Sequence, residues 1–75
     1  MRLTELAADC EALRSDLADE LAAINRYEAQ TFALSDEGAR DVVARILDDK
    51  KEHVALLLEL LRRLDVKQRE KLDRA

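Results

Sequence analysis

Two long stretches of apolar residues recur at alternating spacings of three and four, and a single short polar segment, Ser35-Asp36-Glu37-Gly38, lies between them. In the first stretch the repeating positions are Leu3, Leu6, Cys10, Leu13, Leu17, Glu20, Ile24, Tyr27, Thr31 and Leu34. Spacings of this kind lay one buried seam along a helix, here predicted over residues 3–34. Proline is absent, the only glycine is Gly38, and Leu, Ala, Glu, Arg and Lys dominate, which is the bias of long helices and bundles.

The second stretch predicts a helix over residues 37–64 with two adjacent rows instead of one. The first row is Ala39, Val42, Ile46, Asp49, His53, Leu56 and Leu60; the second is Val43, Leu47, Lys50, Val54, Leu57, Leu61 and Leu64. Two rows make a face wider than one neighbouring helix covers. Residues 35–38 read as the turn of an antiparallel hairpin, with Ser35 or Asp36 accepting from the free amides of the second helix and the acids suiting its positive end. A hairpin supplies only one neighbour, so the second row calls for another chain. The tail, residues 65–75, keeps helical propensity without a continuous face. It reads as a short third helix on a partner or as a frayed end.

Size leads to the same expectation. A chain of 75 residues is one small domain, residues 1–75, and buries too little apolar surface to offset its conformational entropy with ease. With Cys10 as the lone cysteine no intrachain disulfide can help, which leaves a metal or self-association. The predicted fold class is all-α: an antiparallel two-helix hairpin that dimerises into a four-helix bundle. A net charge of −4 with interspersed signs provides no basic stripe for nucleic acid. The longest apolar run, Val54 to Leu58, is far too short for a membrane span, and the acids near Met1 do not suit a signal peptide. A soluble, cytoplasmic protein is expected.

Three polar side chains interrupt the seams at one level. Counting from Asp36 at about 1.5 Å per residue, Glu20 lies roughly 24 Å from the turn, between Asp49 at roughly 20 Å and His53 at roughly 26 Å. Lys50 falls in the same layer, near the midpoint of both helices. A two-fold axis through that layer would bring two copies of Glu20, Asp49 and His53 together. Unpaired charge inside a leucine core costs several kcal/mol, and a divalent cation held by carboxylate and imidazole, iron or manganese by donor type, compensates it. The plainer readings are a hydrogen-bonded core histidine and a Glu20–Lys50 ion pair that fixes register without metal. Cys10 reads as a small buried hydrophobe, and Tyr27 as a core residue whose hydroxyl reaches a polar partner.

Three segments, Glu20-Leu21-Ala22-Ala23-Ile24-Asn25-Arg26-Tyr27, Asp48-Asp49-Lys50-Lys51-Glu52-His53 and Arg62-Arg63-Leu64-Asp65, together resemble the encapsulated ferritins, half-ferritins of the ferritin and rubrerythrin-like superfamily. The similarity runs over roughly residues 16 to 72. It implies a ferritin-like four-helix bundle made by a homodimer, with a di-iron ferroxidase centre (two Fe per dimer) at the interface. It also implies a larger ring, such as a decamer, working inside an encapsulin shell. Residue by residue, the resemblance implies Glu20 as the bridging glutamate, His53 as the histidine and Tyr27 as the tyrosine beside the centre. Lys50 departs from the family's Glu-x-x-His pattern, leaving Asp49, one residue earlier, as the substitute carboxylate. Arg26 stands where the family often has tryptophan. Up to Ala75 no shell-targeting motif is recognisable, so the encapsulin nanocompartment is implied by the resemblance alone. Three functions follow as alternatives: an iron-oxidising centre with Glu20, Asp49 and His53 as ligands, a metal-free ferritin-like assembly module in which Lys50 replaces the metal charge, and a helical interaction module unrelated to ferritins.

Overall fold

The computed structural model describes residues 2–75, and every regular element among them is helical: α1 (Leu3–Ala33), α2 (Glu37–Leu64) and α3 (Val66–Arg74). The first two form the expected antiparallel hairpin. Helix α1 ends when the Leu34 amide donates to the Gln30 carbonyl at 2.9 Å. Asp36 then starts α2, its Oδ2 accepting from the Ala39 amide at 2.7 Å. The Arg40 guanidinium reaches back to the carbonyls of Leu34 and Ser35 at 3.0 and 3.3 Å. The link is thus shorter than the 35–38 turn the sequence suggests. Glu37 and Gly38 belong to the first turn of α2, and Gly38 has no positive φ. A capping carboxylate, rather than a left-handed glycine, makes this corner. Asp36→Ala is expected to cost about 1 kcal/mol, a fall of about 4–8 °C in Tm, whereas Asp36→Asn keeps the cap. Thermal melts followed by circular dichroism check both.

The α1 seam packs on α2 from Leu6 onward. Cys10 is buried, and Leu6, Leu13, Leu17, Glu20, Ile24, Tyr27, Thr31 and Leu34 are half-buried. Leu3 at the helix start is 85% exposed, and Ala23, beside the predicted seam, is buried. Thr31 needs no partner across the seam, because its hydroxyl donates to the Glu28 carbonyl of its own helix at 2.6 Å. On α2, the row from Val43 through Lys50 to Leu64 is the inner one: Leu61 is buried and the other members are half-buried. The adjacent row is more open: Val42 and Leu56 are 46% and 56% exposed, Asp49 and His53 are exposed, and Ala39, Ile46 and Leu60 are half-buried.

Asp65 forms the second corner by itself. Its amide closes α2 on the Leu61 carbonyl at 2.8 Å, and its carboxylate caps α3 through the Gln68 amide at 3.1 Å. Arg14 of α1 pairs with the same carboxylate at 3.5 Å. The tail is therefore a helix rather than a frayed end. It folds back on its own chain, where Asp73 pairs with Arg62.

The result is a slab of 50 × 26 × 13 Å. The shortest dimension is close to the thickness of one helix, about 10–12 Å, so the described residues form a single layer. The radius of gyration is 15.8 Å, against about 11 Å for a compact chain of this length. The chain exposes 5721 Å², where a compact monomer of its mass exposes about 4,700 Å². Among the described residues no helix is long and apolar enough to cross a membrane.

Candidate functional site

Midway along the hairpin, the apolar packing of α1 against α2 is interrupted by Glu20. Seam spacing turns it toward α2, where one oxygen, Oε1, meets the Lys50 ammonium at 3.3 Å. The other, Oε2, meets His53 Nδ1 at 3.4 Å. Lys50 and His53 are three residues apart on α2 and so lie side by side on the helix surface. One carboxylate therefore bridges the inner row, which carries Lys50, and the outer row, which carries His53. The side chains grade outward: Glu20 is 20% exposed, Lys50 26% and His53 49%.

The common level inferred from the sequence holds for Glu20, Lys50 and His53. The Glu20–His53 contact, however, is made within one chain, where the sequence pointed to one across an interface. Asp49 is not part of this cluster. It sits on the exposed outer row and lines a different groove, with Val42, Ala44, Arg45, Ile46 and Asp48. The reason is angular: successive helical residues point about 100° apart, and it is Lys50 that faces α1. Tyr27 is half-buried on the α1 seam, and the Arg26 guanidinium lies 4.9 Å from its ring centroid. That distance suits a cation–π contact. The polar partner expected for the Tyr27 hydroxyl is not found among the described residues.

Beside the cluster is a groove of about 350 Å³ lined by Asp16, Asp19, Glu20, His53, Leu56 and Leu57. Asp16 and Asp19 did not stand out in the sequence because neither interrupts the seam. Their signal was the spacing of Asp16 and Asp19 to Glu20, four and one residues ahead of it on α1. Within one chain, no group of three or more His, Cys, Asp or Glu side chains among the described residues converges as a metal site. Chemically, a single chain sets the Glu20 carboxylate beside the His53 imidazole at the border of the outer row, with the Lys50 ammonium already on the carboxylate.

Two comparisons bear on this arrangement. The encapsulin nanocompartment cargo protein EncC of Myxococcus xanthus (strain DK1622) is 40% identical over 65 residues, which is 87% of this chain and 48% of that protein. The chain thus spans about half the length of this relative. The EncFtn-like family pattern matches residues 1–75, the whole of the sequence. With its helical hairpin, its Glu20–His53 pair and that full-length match, the chain belongs to the EncFtn-like family, the encapsulated ferritins that its helix motifs resemble.

Proposed function

We propose that two copies of this chain pair over the open row of α2 into a four-helix bundle and there bind and oxidise iron. The observation that carries this reading is the Glu20–His53 pair, 3.4 Å apart beside a row whose apolar members Val42 and Leu56 its own chain leaves exposed. Pairing around a two-fold axis at that level brings two carboxylate–imidazole pairs together. Asp49, on the same outer row and one turn from His53, becomes a ligand only in the paired state. Glu20, Asp49 and His53 of both chains then hold two Fe(II) ions as substrate. Each gives one electron to dioxygen, which takes up two protons and leaves as hydrogen peroxide. Tyr27 sits two turns from Glu20 on the same stripe and borders the centre. The Myxococcus relative is named as encapsulin cargo, which supports an encapsulin shell as partner and the interior of a nanocompartment as the place of action, with dimers joined into a larger ring.

A second reading has its own observation. Lys50 Nζ lies 3.3 Å from Glu20 Oε1, the arrangement of a metal-free ferritin-like module in which an ammonium stands in for the cation. The two separate experimentally. Under the iron reading, protein given Fe(II) without oxygen retains two iron ions per dimer, Asp49→Ala abolishes that binding, and Lys50→Glu strengthens it. Stoichiometric iron that survives Asp49→Ala would show the ligand assignment to be wrong. Wild-type protein with no stoichiometric iron would favour the metal-free module.

A further inference from the structure

Lys50 is absent from any ligand scheme, yet it is the nearest cation to the candidate site. We infer that Lys50 is a tethered counter-ion that guards Glu20 in the metal-free protein, and that a divalent cation loads only by displacing its ammonium into water. This inference rests on the iron-binding reading above and concerns how that site is controlled.

Both oxygens of Glu20 are occupied in the hairpin, Oε1 by Lys50 Nζ at 3.3 Å and Oε2 by His53 Nδ1 at 3.4 Å. A metal ion approaching the carboxylate therefore meets a neighbour on each oxygen and must compete with it for the remaining lone pairs. Of the two occupants, the imidazole can itself become a ligand, but the ammonium has no lone pair and repels the ion. An ammonium that stayed beside the carboxylate would also add Coulomb repulsion to the incoming cation. Departure is physically open to Lys50. Its side chain is already 26% exposed, and a four-carbon stem lets the ammonium reach water while its methylenes stay on apolar surface. The pair also explains how a carboxylate is kept in a leucine seam before any metal arrives, since an unpaired buried charge is strongly disfavoured.

The test uses Co(II) as a divalent probe that does not react with dioxygen under the assay conditions. Wild-type protein is treated briefly with an amine-acylating reagent, with and without saturating Co(II), and labelling of Lys50 is measured by mass spectrometry relative to the exposed Lys67. Co(II) is expected to raise the Lys50 to Lys67 ratio at least about five-fold. In parallel, Lys50→Gln is expected to bind Co(II) at least about ten-fold more tightly than wild type. Binding by the variant alone means that the ammonium is never displaced in the wild type; it overturns the loading step and favours the metal-free module. An unchanged labelling ratio with Co(II) bound, or equal affinities in the two proteins, overturns the counter-ion role and leaves the iron reading standing. Co(II) binding by neither protein overturns both. Labelling of the wild type needs no variant to fold, so the inference stays testable if Lys50→Gln does not.

Discussion

Leu56→Asp is expected to turn the assembly into monomers that lose most of their helix. In a single chain Leu56 is 56% exposed on the outer row of α2. An aspartate there meets water and would leave an isolated hairpin undisturbed. Only a partner that covers the row makes the substitution harmful. Burying a carboxylate in such an interface without a partner costs several kcal/mol, and symmetry doubles the cost in a dimer. At about 1.4 kcal/mol per decade, dissociation should become at least about a thousand-fold easier. The freed slab has too little core to stay folded alone, so helicity should fall together with mass. Light scattering and circular dichroism at micromolar concentration check this. A variant that remains a folded dimer would place the interface on another face, and the paired iron site would go with it.

The second large effect separates stability from chemistry. The double substitution of Glu20→Leu with Lys50→Leu is expected to raise stability while abolishing stoichiometric iron. Glu20 and Lys50 are both about three-quarters buried, and such a pair recovers little of its desolvation cost. Replacing comparable pairs with well-packed apolar side chains is neutral or stabilising by roughly 1–4 kcal/mol. The single change Glu20→Leu should fall below the wild type, because it leaves the Lys50 ammonium without its partner and forces it to turn out into water. Chemical denaturation of the wild type and the two variants at equal concentration measures both effects. A double variant that binds iron like the wild type would remove Glu20 from the ligand set. One that falls as far as the single variant would mean that the pair is a net source of stability.

Much of this was legible in the residues, and the remainder was illegible for identifiable reasons. Helix extents followed from spacing alone: α1 and α2 lie within a residue of the predicted bounds. The level shared by Glu20, Lys50 and His53 followed from counting rise along two helices from one turn. Which of Asp49 and Lys50 faces Glu20 could not be counted. Both are adjacent to apolar rows on the same broad face, and only the docking of Val43, Leu47, Val54 and Leu57 against α1 decides the rotation. The Asp36 cap was legible because a carboxylate just ahead of a periodic apolar stretch suits the free amides of a helix start. The α2–α3 corner was hidden because Asp65 both stops one helix and starts the next, leaving no loop for composition to reveal.

The clasp on Glu20 also acts as an address. Leucine and valine rows are nearly interchangeable, and sliding α2 along α1 by one turn, about 5.4 Å, would pack aliphatic side chains on aliphatic side chains much as before. At the middle of the hairpin, however, that slip brings Leu47 or Val54 opposite the Glu20 carboxylate in place of Lys50. His53 moves off it as well. Every slipped register thus strands a half-buried charge among hydrocarbons, and only one alignment does not. The polar layer proposed to receive a metal therefore also tells an otherwise repetitive pair of helices where along each other to stop.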